Sequence, residues 1–358
     1  MTNETHGSPQ SYGRSPASSQ SPWLPAGFRL RGNRGAVYTI QRVLGSGGFG
    51  VTYEAYTPNG QRVAIKELFP SSLTLRQPDG TVAAIGDSGQ FKKMMESFLK
   101  EIGVLYKLNN AGTFVKIYDY FYANNTAYYA MEYVEGDTLK EHLKKHGALD
   151  PVQWERPFLQ LMQDIGYLHA NGVIHRDIAP DNIKIASNGT LKLIDFGLAR
   201  PYMMNQGMTV NLKPGFAPLE QYQSHGQGTY TDIYALAATM YYCFTGKVIP
   251  DAYERKIQDR LAAPGGLGLH LPHHQEQALL KALSVDYRQR FQTMQEFAAA
   301  YATPSVPQTR HTGTEQQQEE SELLVRMRSS FAAIRQEPLM PALAGGLFLI
   351  ALILQIAL

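Results

Sequence analysis

Cysteine is almost missing from this chain. Cys243 is the single one in 358 residues, and it lies in an apolar run. One thiol cannot close a disulfide within the chain, which fits a reducing cytosol, and its apolar setting reads as core rather than as a reactive site. Charge of one sign is scarce too. Lys and Arg number 33 against 31 Asp and Glu, a net charge of +2 that implies no nucleic-acid partner. Residues 1–25 have few large apolar side chains and are rich in Ser, Pro, Gln and Gly. They read as a disordered tail without the apolar core of a signal peptide, so the domain that follows is expected to stay in the cytosol. Hydroxyls are sparse between Asp195 and Glu220, where Tyr202 and Thr209 occur without a serine. His273-His274 has no further ligand at a spacing useful for a metal.

What the chain does have is an apolar fraction of 44%, enough for a sizeable core in one large domain or two ordinary ones. Val173-Ile-His-Arg-Asp-Ile-Ala-Pro-Asp-Asn182 is followed shortly by Leu191-Lys-Leu-Ile-Asp-Phe-Gly197. These stretches place Asp177, Asn182 and Asp195 in a short span between strand-like apolar residues. Asp177 is a candidate base for a hydroxyl proton. Asn182 and Asp195 carry hard oxygens of the kind that hold Mg²⁺ against phosphate. Nearer the N-terminus, Tyr38–Leu44 alternates like a strand, Gly45-Ser-Gly-Gly-Phe-Gly50 follows, and Val51–Tyr56 resumes strand character. Glycines there permit a tight turn and let backbone N–H groups approach phosphates. A dinucleotide-binding fold would open a helix after such a loop, whereas here a strand follows. Val63-Ala-Ile-Lys66 places a lysine among apolar neighbours, a costly position unless the charge is paired. Residues 68–90 read as an inserted loop. Phe91–Leu108 has helical period, with Glu101 on the same broad face as its apolar stripe and Glu96 as a rival acid. Val115–Ala123 and Ala127–Tyr133 read as a hairpin around Asn124-Asn125.

The order G-x-G-x-x-G, A-x-K, H-R-D-x-x-x-x-N and D-F-G resembles the protein kinase family over residues 36–302. Gly-Gly-Phe-Gly, Thr231-Asp-Ile-Tyr234 and Pro214-Gly-Phe-Ala-Pro-Leu-Glu-Gln221 look most like bacterial Hanks-type serine/threonine kinases. Asp181 stands where tyrosine kinases have arginine. The resemblance implies an α+β, bilobal fold with a β-rich N-lobe to about residue 131 and a mainly helical C-lobe over 132–302. It implies ATP and Mg²⁺ (Mn²⁺ being possible) as cofactors, with Asn182 and Asp195 as metal ligands. Nucleotide contacts would come from Leu44, Gly45, Ser46, Gly47, Gly48, Phe49, Gly50, Thr52, Ala64, Lys66, Glu101, Met131, Glu132 and Val134. Within that set Lys66 would bind the α- and β-phosphates and pair with Glu101. The Glu132 carbonyl and Val134 N–H would bind adenine, with Met131 as gatekeeper. Thr52 stands where the family usually has valine. His175 and Phe196 would complete an internal spine, and Arg176 would hold a phosphate on the activation segment, with Thr209 as acceptor. A segment ordered without phosphate is the alternative. Glu220 would pair with Arg290, and Asp232 would hold the H-R-D backbone.

The largest departure from the family is Ala179, where a lysine normally neutralises the γ-phosphate. Lys213 occupies a position that is generally threonine. The two positions should touch, so Lys213 is expected to reach into the gap and act as a catalytic cation beside Asp177. Protein substrates are the expected partners. A catalytically weak pseudokinase scaffold and a small-molecule kinase are the other readings, the first favoured by Ala179 and the second disfavoured by the Glu220 segment.

Residues 303–338 read as a linker followed by a juxtamembrane helix. Within it, Ser321–Arg335 has an apolar stripe with nearby arginines that suits anionic lipid or a second copy in a homodimer. Leu339–Leu358 holds no charge across 20 residues. At about 1.5 Å per residue it crosses a hydrocarbon core of about 30 Å. Arginines lie on its N-terminal side, so a single-pass anchor in the cell (inner) membrane with the kinase domain cytoplasmic is expected. Ala342 and Gly346 offer a small-xxx-small face. Kinases of this kind often continue into an outer sensor domain. Here a stimulus is expected to arrive through lipid, dimerisation or a partner.

Overall fold

The computed structural model describes residues 21–108, 111–196, 200–201, 212–223 and 226–302. They belong to one compact unit, Met1–Thr303, while Pro304–Leu358 is a separate unit outside the described residues. The expectations for Tyr202, Thr209, the juxtamembrane stretch and Leu339–Leu358 therefore lie outside what is described. Among the described residues, no helix is long and apolar enough to cross a membrane.

The N-terminal half is an antiparallel sheet. Strands β1 (Arg29–Arg31), β2 (Val37–Gly47), β3 (Gly50–Tyr56) and β4 (Arg62–Leu68) follow in sequence. Next come a short pair, β5 (Thr74–Arg76) and β6 (Val82–Ala84), and helix α1 (Ser88–Lys107). Strands β7 (Ile117–Ala123) and β8 (Thr126–Glu132) complete the sheet in the order β1-β2-β3-β4-β8-β7. Asn124 and Asn125 both take positive φ, the geometry of a two-residue hairpin turn, and so join β7 to β8. Asp87 starts α1 by accepting from the Gly89 N–H. The helix buries Phe91, Met94, Phe98, Ile102 and Leu105, the stripe visible in the sequence.

Register decides which side chains share the sheet face toward the helical half. Thr52 lies opposite Lys66, Ala64 opposite Met131, and Lys66 opposite Tyr129. Directly opposed residues point the same way and the side-chain period is two, so Thr52, Ala64, Lys66 and Met131 line one face. Glu67 points the other way.

Residues 68–90 are not simply a loop, because β5 and β6 pair and Arg76 is drawn into the sheet. Its guanidinium donates to both Glu67 carboxylate oxygens at 2.8 and 2.6 Å. The Tyr53 hydroxyl donates to Glu67 at 2.7 Å, and the Tyr128 hydroxyl donates to it as well. A fully buried carboxylate is stable only when its lone pairs are met, and four donors meet them here. The same cluster corrects the extent of the N-terminal tail. Arg76 also donates to the Pro22 carbonyl, Trp23 packs edge-on against Phe69, and Leu24 is buried. The ordered domain thus begins before residue 26.

The C-terminal half is helical around α5 (Thr229–Thr245), and its earlier elements are α2 (Leu139–His146), α3 (Pro151–Ala170), β9 (Val173–Ile174), β10 (Ile183–Ile185), β11 (Leu191–Leu193), β12 (Arg200–Pro201) and α4 (Leu219–Tyr222). A full capping box between Thr138 and Glu141 starts α2. After α5 come α6 (Ala252–Ile257), α7 (His273–Ala282) and α8 (Met294–Tyr301). Arg290 lies in the break between α7 and α8.

Replacing Arg76 by Met leaves the Glu67 carboxylate buried without its cation. Urea unfolding should show a loss of about 3–5 kcal/mol. The double variant Arg76→Met/Glu67→Leu should lose less than Arg76→Met alone, because no charge is then stranded.

Candidate active site

Strands β2 and β3 meet at Gly47 and Gly50 and leave Gly48-Phe49 as the tip of a hairpin. Residues Leu44–Gly48 of this loop are exposed, and no atom lies within 4 Å of where a Cβ on Gly45 or Gly47 would sit. Gly50 is different, because a Cβ there would overlap the Glu67 carbonyl. The third glycine is thus required by the close approach of β3 to β4, and the first two leave space above the lysine strand.

Lys66 extends from β4 toward β11, and its Nζ lies 2.6 Å from Asp195 Oδ2. This differs from the expected pairing with Glu101. Glu101 is buried on α1 and accepts from the Ser97 hydroxyl at 2.8 Å. The nearer carboxylate on the opposite lobe has taken the lysine.

The loop between β9 and β10 is shaped by Asp232, a fully buried acid at the start of α5. Its carboxylate accepts the His175 and Arg176 backbone N–H groups, both at 2.7 Å, and meets His169 Nε2 at 2.8 Å. Burial pushes the carboxyl up, but His169 and these backbone donors hold it below its usual range. The bonds stabilise Arg176 at φ 68°, an uncommon conformation for a non-glycine residue. Beyond that bend Asp177 emerges from the loop. His175 is fully buried with its ring 5.0 Å from Phe196, which in turn meets Phe114 edge-on at 5.5 Å. Burial lowers His175 to about 4, so it is a neutral packing residue at pH 7.

Asn182 donates its amide N–H to the Asp177 backbone carbonyl at 2.7 Å, which turns that amide into a brace for the loop. Its amide oxygen and the Asp195 carboxylate are hard donors, and this donor set fits Mg²⁺ or Mn²⁺.

Ala179 is buried, and Lys213 reaches the acids two residues to either side of it in the chain. The Lys213 ammonium lies 2.8 Å from Asp177 Oδ1 and 3.1 Å from Asp181 Oδ1. Burial works against its charge, but Asp177 and Asp181 more than offset that and raise it. For Asp177 burial dominates and lifts the carboxyl to about 6, with Lys213 pulling it back down. Lys213 enters through a turn in which the Phe216 and Ala217 N–H groups both donate to its carbonyl at 2.9 Å. Gly215 sits in that turn at φ 82°, packed against Val248 and the Ile249 carbonyl where a side chain has no room. The turn is clamped from below. Glu220 and Arg290 form a buried pair with contacts of 2.7 and 3.2 Å, and Gln221 donates to the Arg176 carbonyl at 2.7 Å. A shallow cleft open to solvent lies between Asp177, Lys213, Ile178 and Phe216.

At the link between lobes, Glu132 receives Lys192 at 3.1 Å, and its backbone N–H donates to the Lys116 carbonyl. Lys184 donates to the Val134 and Gly136 carbonyls at 3.0 and 2.8 Å. The sequence reading missed Lys184 and Lys192, since each is one lysine in a short strand and only the β10–β11 hairpin aims them at this link. It also missed Asp181 as a partner of Lys213. The detectable signal was a lysine near the segment's end facing a loop with an additional acid.

Residues 38–264 match the family model described as "Protein kinase domain". A serine/threonine-protein kinase PknA of Nostoc sp. is 30% identical over 281 residues, covering 74% of this chain and 46% of that protein. Serine/threonine-protein kinase PknD of Mycobacterium tuberculosis is 28% identical over 294 residues, covering 79% and 42% respectively. The chain thus spans less than half the length of these curated relatives. A solved structure titled "PpkA-294 apo form" superposes with a TM-score of 0.66 at 31% identity, covering 79% of this chain and all of that one.

In a ¹³C NMR titration of Asp-labelled protein, one carboxyl, lost in Asp177→Asn, should titrate near pH 6. Lys213→Ala removes a charge that favours the carboxylate, so the same midpoint should move to higher pH.

Proposed function

The chain belongs to the protein kinase family, on its serine/threonine side, and we propose that it transfers the γ-phosphoryl group of ATP to Ser and Thr hydroxyls of proteins, its own chain included. The observation that carries this reading is a pair of neighbouring ion pairs, with Asp195 close enough to Asp177 for its charge to raise that carboxyl. Lys66 with Asp195 marks the phosphate end, and Lys213 with Asp177 marks the acceptor end. Mg-ATP supplies an activated phosphoryl group whose charge the metal partly neutralises. Asn182 and Asp195 are the residues that would hold the metal. Lys66 orients phosphate oxygens, while the hairpin at Gly45–Gly50 covers them with backbone N–H groups. Ala64 and Met131, opposed across β4 and β8, wall the adenine side. The Glu132 carbonyl and Val134 N–H are its hydrogen-bonding edge.

Asp177 accepts the proton of the incoming hydroxyl, and its raised titration point suits a base. With nucleotide bound, Lys213 turns from this carboxylate toward the transferred group. The chemistry is then mostly positioning and charge neutralisation. The pseudokinase reading rests on Ala179 alone, and a lysine beside that gap weighs against it.

We place the chain in a membrane-anchored signalling role, held by residues 339–358 with the catalytic domain on the cytoplasmic side, and with residues 321–335 lying on anionic lipid or pairing with a second copy. That reading rests on the uncharged run and its flanking arginines.

Label transfer from [γ-³²P]ATP to the chain and to a general protein acceptor is the direct test. Wild type should phosphorylate Ser and Thr, and Asp177→Asn should reduce the rate by about 10²–10⁴-fold. Absence of transfer by wild type with Mg²⁺ or Mn²⁺ would discard the enzymatic reading. For the anchor, the full chain should remain with membranes after an alkaline wash, and a chain lacking 339–358 should be released.

A further inference from the structure

Ala179 and Lys213 move a charge from one element to another, and that relocation makes new demands on the chain. A lysine on the catalytic loop would be held by the loop's own backbone. Lys213 instead arrives on the turn that leads into α4 and spans the cleft floor with a long, flexible side chain. Something must hold its ammonium over the gap. Asp177 cannot do so throughout the reaction, because its carboxylate has to meet the acceptor hydroxyl. The second contact, 3.1 Å to Asp181 Oδ1, is with an acid that has no part in proton transfer. Asp181 immediately precedes Asn182, whose amide braces the loop through the Asp177 carbonyl, so its position is tied to that of the base.

We infer that Asp181 is a positioning residue for phosphoryl transfer: it holds the Lys213 ammonium beside Ala179, so the charge addressed to the transferred group arrives with the α4 turn rather than with the catalytic loop. This rests on the kinase reading above and adds a dependence to it. The Glu220–Arg290 pair and the Gln221 bond to the Arg176 carbonyl anchor the turn that carries Lys213. Displacing that turn removes a catalytic charge as well as the acceptor platform, so charge and platform are gained or lost together.

The test transplants the cation. Full-length wild type, Lys213→Thr, Ala179→Lys/Lys213→Thr and Asp181→Asn in both backgrounds are compared. Turnover is read beside the dissociation constants of Mg-ATP and Mg-ADP from isothermal titration, and thermal melting checks folding. Lys213→Thr should lower kcat by about 10²–10³-fold and reduce the preference for ATP over ADP by about tenfold. Ala179→Lys in that background should restore both to within about tenfold of wild type. Asp181→Asn should cost about fivefold in kcat and in ATP preference when Lys213 is present, and nothing once the cation sits at position 179. Equal losses from Asp181→Asn in both backgrounds would make Asp181 a general structural residue and overturn the inference. An unchanged ATP preference in Lys213→Thr would do the same. If wild type transferred no phosphate, the kinase reading would fall, and the nucleotide affinities would still decide the role of Asp181.

Discussion

A carboxylate withdrawn from water must be met by donors, and in this protein such carboxylates sit where one element has to hold another. Asp232 is the central case. It is fully buried, and its two oxygens take two backbone N–H groups and a histidine. Those bonds hold the bend at Arg176, and the bend aims Asp177 at the cleft. Glu220 does the same for the segment after residue 211 by taking Arg290, and Glu67 fastens the β5–β6 insertion to the back of β4. Each pair costs desolvation, and breaking one side leaves a stranded charge. The frame of the site therefore gives little room for partial disorder.

The cleft itself works on a different balance. Its charges are half-buried and paired with one another instead of with the frame: Lys66 with Asp195, Lys213 with Asp177 and Asp181. Such pairs are partly open to solvent, unlike the buried Glu220–Arg290 pair of the frame. Lys66 on Asp195 and Glu101 on Ser97 are two consequences of the same geometry. The lysine takes an acid on the opposite lobe. The buried Glu101 keeps a hydroxyl from its own helix.

Much of this was readable in the order of residues. Gly45–Gly50, Lys66, Asp177, Asn182 and Asp195 announce their chemistry by type and spacing. The stripe on α1, the turn at Asn124-Asn125 and the apolar α5 follow from local rules of period and turn geometry. Lys213 as the companion of Asp177 was also legible, through two departures that made sense only together. Other features were not legible. The 68–90 stretch has the Gly, Pro and Ser of a loop, and nothing local says that Arg76 will find a carboxylate four strands deep in pairing order. Trp23 and Leu24 sit in a tail-like composition, and only the surface prepared by Phe69, Arg76 and Tyr53 gives them a place.

The sequence alone settled which chemical groups are available and how far apart along the chain they stand, because residue type, turn propensity and hydrophobic period act over a few positions. Tertiary structure alone decided three of the meetings of charge: Lys66 with Asp195 across 129 positions, Arg76 with the buried Glu67, and Asp181 as a second acid on the Lys213 ammonium. The reason is the reach of the forces involved. An ion pair needs oxygen and nitrogen within about 3 Å, and only the packing of distant elements brings them that close.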